Sequence, residues 1–96
     1  MSPLEVGCRV KINAPLTPGT GIVAHVHPPF LVMSNEDIVR YYGFGPNDPH
    51  FSGAASGNYR VERVIIERDE GGFILLPMTR ANITRALVTP LPKEEE

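Results

Sequence analysis

Ten prolines and nine glycines are spread through a chain of 96 residues, and their positions constrain its fold more than any other feature. Proline has no backbone donor and clashes with the preceding helical turn, so the pattern disfavours a helical bundle and favours short strands joined by turns. Pro15, Pro18, Pro28, Pro29, Pro90 and Pro92 fall at the ends of apolar runs, whereas Pro46 and Pro49 join Gly43, Gly45, Gly53 and Gly57 in one irregular stretch. A chain this short has room for a single hydrophobic core, so one domain is expected over residues 1–92, with an acidic tail at 93–96.

Between the punctuation marks the apolar periodicity is that of strands. Val6, Cys8, Val10 and Ile12 alternate with Gly7, Arg9 and Lys11, which predicts a half-buried strand and a buried, inert Cys8. A second strand, Thr20 to His27, places Ile22, Ala24 and Val26 on one face and Val23, His25 and His27 on the other. After Pro28-Pro29, Phe30 to Met33 reads as a short third strand. Ser34 followed by Glu36 and Asp37 caps a short helix over Asn35 to Tyr42, with Gly43 closing it. Gly43 to Asn58 is then a long irregular loop, a kind of segment that in compact domains usually binds something or moves.

Strand character returns from Tyr59 to Arg68, with a phase slip that predicts a bulge or bend near Glu62-Arg63. Asp69-Glu70-Gly71-Gly72 is a hairpin turn, Phe73 to Met78 the partner strand, and Thr79 to Leu87 one helical turn before a closing strand to Thr89. The sum is a mainly β fold: a small, strongly bent, five- or six-stranded antiparallel barrel with one short helix and one helical turn.

The opening, Val6-Gly7-Cys8-Arg9-Val10-Lys11-Ile12 and then Pro18-Gly19-Thr20-Gly21-Ile22-Val23, resembles the start of many SH3-like small barrels. That superfold includes KOW and Tudor-like modules, plasmid-type dihydrofolate reductases, and SH3-like subunits of photosystem I and of thioredoxin reductase. The resemblance covers about the first quarter of the chain and implies a fold, not an activity. The reductases' Val-Gln-Ile-Tyr active-site stretch has no counterpart, since Phe73-Ile74-Leu75-Leu76-Pro77 lacks its glutamine and tyrosine.

Composition removes several function classes. Net charge is -2, and Glu94-Glu95-Glu96 account for three of the acidic residues, which leaves little electrostatic case for nucleic acid or an acidic membrane. Cys8 is the one cysteine, so no internal disulfide or multi-cysteine metal motif can form. No apolar run reaches membrane-spanning length, and Met1 to Glu5 lacks signal-peptide character, so a cytoplasmic chain without membrane contact is expected. Locally paired carboxylates, a phosphate-cradling glycine loop and a Gly-x-Ser-x-Gly elbow are absent, and nothing calls for a cofactor or names a catalytic residue.

Two constellations remain. Tyr41, Phe44, His50 and Phe51, in and beside the irregular loop, are candidate binding anchors, because aromatic side chains on a loop give contact area at low entropic cost, whereas Tyr42 and Tyr59 are assigned to the core. His25 and His27 share a strand face, as metal-binding imidazoles do, and His50 could supply a third ligand. Gly19 to His27 also matches the Gly-x5-His-x-His start of the cupin motif, but the acidic ligand expected a few residues on is missing. The histidines are therefore expected to face solvent, with no metal. Arg60, Arg63, Arg68, Arg80 and Arg85 interleave with Glu62, Glu67, Asp69 and Glu70, as ion pairs on a solvated sheet face would.

The expected function is a noncatalytic binding or assembly module, contacting a protein partner or a second copy through the 41–58 loop and an exposed strand edge. The alternative is a small-ligand protein or enzyme whose site forms between subunits of a homo-oligomer. A nucleic-acid module ranks third.

Overall fold

Turn chemistry sets where the elements begin and end. The computed structural model describes residues 4–43, 45–51 and 60–91. Along them run β1 (Arg9–Ile12), β2 (Gly19–His27), α1 (Asn35–Tyr42), β3 (Arg63–Arg68), β4 (Phe73–Pro77), α2 (Arg80–Thr84) and β5 (Val88–Pro90). The five strands form one antiparallel sheet of order β4-β3-β2-β1-β5. No helix among the described residues is long and apolar enough to cross a membrane.

Local signals place both helices. Ser34 accepts a hydrogen bond from the Asp37 amide and Gly43 closes α1 in the left-handed region at φ 85°, as the capping pattern predicts. Thr79 caps α2 through the Asn82 amide, while the Asn82 side-chain amide donates to the Pro77 carbonyl at 2.7 Å. Ala86, at φ 52°, then reverses the chain so that the Asn13 amide can donate to the Leu87 carbonyl and β5 can pair with β1. Gly71 and Gly72, both at positive φ, make the β3–β4 hairpin at the predicted position.

Three expectations change. β1 begins at Arg9 rather than Val6, because Gly7 turns at φ 92° and donates its amide to the Val23 carbonyl; Val6 is exposed and Cys8 only half-buried. Phe30 to Met33 is not a strand, since Phe30 sits at φ 63° and breaks the extended path. The register irregularity lies in β2, where Val23 faces Ile66 and His25 faces Ile65, leaving Ala24 as an extra residue; β3 pairs regularly from Arg63 onward. Tyr59 and the 93–96 tail lie outside the described residues.

The sheet buries both of its faces around β3, with Arg63, Val64, Ile65 and Ile66 all inaccessible. One face carries the larger cluster: Leu4, Val10, Ile12, Val23, Val64, Ile66 and Leu76. The other packs Ile65 against Met33 and Ile38, with Tyr41, Tyr42, Phe51 and Leu75 around them. Gly21 lets β2 run close over β3, because a side chain there would meet the Glu67 carbonyl and lie 2.7 Å from the Ile66 Cγ2.

Candidate functional site

The bulge at Ala24 decides where the histidines go. Without it, His25 and His27 would share the face of Val23 and enter the larger apolar cluster. One extra residue reverses the alternation, so Val26 packs on that cluster and the two imidazoles turn toward the face covered by α1. The expectation that they face solvent is overturned: His27 is 4% exposed and His25 half-buried.

Hydrogen bonding fixes the tautomer of His27. Its Nε2 lies 2.7 Å from the Leu31 carbonyl, which can only accept, so Nε2–H donates and Nδ1 keeps the lone pair. His25 Nε2 lies 3.1 Å from that Nδ1 and donates to it. The Leu31 carbonyl takes a second bond from Arg63 Nη2 at 3.2 Å. Arg63 pairs with His27 across β2 and β3 and is wholly buried, unlike the solvated arginine the interleaved charges predicted.

Helix α1 completes the cluster. Asp37 and Tyr41 are one turn apart on α1 and so share a face. Tyr41 stacks on His25, with ring centroids 5.7 Å apart and planes at 11°, and meets the edge of Phe73 at 5.0 Å. The ligand atoms of His25, His27 and Asp37 all lie within 4.8 Å of one another. Burial holds the His25 pKa below its ordinary value; the Asp37 carboxylate works the other way, while His27 and Arg63 add to the lowering.

Of the anchors expected from sequence, Tyr41 joins this site as a packed ring beside His25. Phe51 is half-buried against the Met33–Ile38–Ile65 cluster. His50 is exposed, its ring nitrogen 3.0 Å from Asp48, and stands apart from the grouping of His25 with His27. Phe44 lies outside the described residues. Sequence reasoning missed Asp37 and Arg63. Asp37 was fully accounted for as a first-turn acid, and its i, i+4 relation to Tyr41 was the available signal; for Arg63 the signal was a lone cation heading the apolar run Val64-Ile65-Ile66.

A second feature adjoins the cluster. Phe30, Leu31 and Val32 are 73%, 52% and 63% exposed, although the Leu31 carbonyl between them is gripped from inside by His27 and Arg63. The backbone is pinned and the apolar side chains point to water. Comparison of the chain with protein-family models, with curated proteins and with solved structures found no match, which leaves the chemistry of these two features to bear on function.

Proposed function

We propose that this chain is a noncatalytic assembly module on an SH3-like barrel, contacting a protein surface through the turn Phe30-Leu31-Val32 and an exposed strand edge, with a second copy of itself as the simplest partner. The strand order, the helical turn that returns β5 to β1 and the bulged β2 support the barrel reading. The contact is carried by one observation: three consecutive large apolar side chains stand exposed on a backbone that two buried side chains hold in place. Ordering such a turn costs little on association, because the fold has already ordered it. Within the 41–58 segment expected to make the contact, Tyr41 and Phe51 are engaged in packing, which moves the centre of the surface to the Phe30 turn.

Light scattering over a concentration series tests this. The wild-type mass is expected to rise toward a dimer, and Leu31→Asp, which keeps the anchoring carbonyl and adds an exposed charge, to weaken association about tenfold or more. A wild-type chain that stays monomeric at about 1 mM overturns the self-contact, since even a weak contact of about 4 kcal/mol populates a dimer there. A small-ligand reading is favoured by a separate observation, the convergence of His25, His27, Asp37 and Tyr41 at one place.

A further inference from the structure

We propose that His25 Nε2, His27 Nδ1 and an Asp37 carboxylate oxygen form a binding site for a divalent transition-metal cation of the Zn²⁺ or Co²⁺ type, independently of any protein contact. Two imidazole nitrogens and one carboxylate oxygen are the ligand set such ions take, whereas Mg²⁺ and Ca²⁺ prefer sites made wholly of oxygen. The three ligand atoms lie within 4.8 Å of one another. The two nitrogens are 3.1 Å apart. An ion at the usual Zn–N distance of about 2.0–2.1 Å from both would subtend an angle of about 100°, between the octahedral and tetrahedral values.

The supporting shell has the form metal sites use. A ligating histidine generally donates its second nitrogen to a carbonyl or carboxylate, which fixes its tautomer and aims its lone pair. His27 does so through the Leu31 carbonyl at 2.7 Å. His25 is held in orientation by the parallel face of Tyr41. Both histidines stand on a paired strand and Asp37 on the capped first turn of a helix, so no ligand comes from an irregular loop. In the metal-free chain the short His25–His27 contact is a hydrogen bond; on binding, the ion takes the place of that proton and His25 carries its proton on Nδ1. Three protein ligands leave at least one position for water or an exogenous group. Arg63 works against a second cation here, and its guanidinium is directed at the Leu31 carbonyl rather than among the three ligands.

The test is titration of the untagged chain with Co²⁺ and with Zn²⁺, read by the visible spectrum of Co²⁺, by thermal unfolding and by imidazole nitrogen NMR shifts. One equivalent is expected to bind, shifting the His25 and His27 nitrogen resonances; excess Zn²⁺ is expected to raise the unfolding midpoint by about 5 °C or more, reversibly with EDTA. His25→Ala and Asp37→Asn, at half-buried positions, are expected to weaken binding about tenfold or more while unfolding cooperatively in EDTA. His27→Ala is not relied on, because its loss also releases the Leu31 carbonyl. Since exposed His50 pairs with Asp48 and could take up metal by itself, His50→Ala is the internal control and is expected to bind as the wild type does. Absence of one-equivalent binding overturns the proposal, as does binding that survives His25→Ala unchanged or is lost in His50→Ala.

Discussion

The two faces of the sheet are built from the same strands and do different work. One is aliphatic throughout, with Val10, Ile12, Val23, Val64, Ile66 and Leu76 closing on one another. The other begins the same way with Ile65, Met33 and Ile38, then admits His25, His27, Arg63 and Asp37 beside them. Burying a polar group without partners costs several kcal/mol, and on the second face the two imidazoles meet each other and the Leu31 carbonyl, which Arg63 Nη2 also bonds. The first face is purely apolar contact, and the second gathers the titratable side chains. The partition hangs on the single extra residue in β2.

Removing that residue is the strongest way to break the comparison. Deletion of Ala24 restores regular alternation and drives His25 and His27 into the Val10–Val64–Ile66 cluster, or else slips the register of the rest of β2. Either outcome costs several kcal/mol per misplaced side chain, enough to exhaust the stability of a domain this small. Loss of cooperative urea unfolding is expected. A deletion variant that unfolds with the wild-type midpoint would show that the bulge does not assign the faces.

Matched truncations on the two sides of β3 sharpen it. Ile66→Ala and Ile65→Ala remove the same atoms from adjacent, fully buried positions. Ile66→Ala should cost about 3–4 kcal/mol, because the crowded aliphatic face has little room to collapse. Ile65→Ala should cost about 2–3 kcal/mol, since the smaller cluster has flexible Met33 beside it to fill part of the gap. Chemical denaturation midpoints at constant slope give both values, and a reversed order would mean that the helix-covered face is the more tightly packed one.

How much of this could be read from the residues follows from the range of the signals. Helix α1, the Gly71-Gly72 hairpin and the late helical turn are written in local chemistry, in Ser34 and Gly43, in paired glycines and in the i, i+4 spacing of Ile83 and Leu87, and each forms where that chemistry predicts. The bulge is not local. Ile22, Val23 and Ala24 are all apolar, so the alternation around them is satisfied with or without an extra residue, and only the pairing with β3 chooses. The spacing of the histidines therefore shows that they form a pair but not which face they take. Phe30-Leu31-Val32 has strand composition, but Phe30 turns at φ 63° and the Leu31 carbonyl is bonded by His27 and Arg63 rather than by a neighbouring strand, neither of which composition reveals. Asp37 and Arg63 became part of a site only when the topology laid α1 and β3 beside the end of β2.

Phe30 separates stability from contact within the second region. A phenylalanine at φ 63° carries a backbone penalty of about 1–2 kcal/mol that glycine avoids, and its largely exposed ring returns little burial to the fold. Allowing for the extra freedom glycine gives the unfolded chain, Phe30→Gly should stabilise the monomer by about 0.5 kcal/mol while weakening self-association. Unfolding midpoint and scattering mass, measured on the same sample, should therefore move in opposite directions. If both fall, the ring is packing within its own chain and does not serve a contact.

The smallest effect lies at the β3–β4 hairpin. There Asp69, in the hairpin turn, receives two bonds from Arg9, at 2.8 and 3.0 Å, and a short one from the Thr20 hydroxyl. The Arg9 bonds, helped by Thr20, hold the Asp69 carboxyl below its ordinary pKa. A carboxylate whose folded pKa is depressed stabilises the fold fully above its unfolded pKa of about 3.9, and the contribution is lost as pH falls from there through the lower folded value. Asp69→Asn should accordingly lower the urea midpoint slightly at pH 7, and the two proteins should converge as pH falls through the depressed folded value. Because the pair is exposed, about 1 M salt should shrink the difference at pH 7 as well. A gap that persists in acid would assign the residue's role to hydrogen bonding that asparagine cannot copy, rather than to charge.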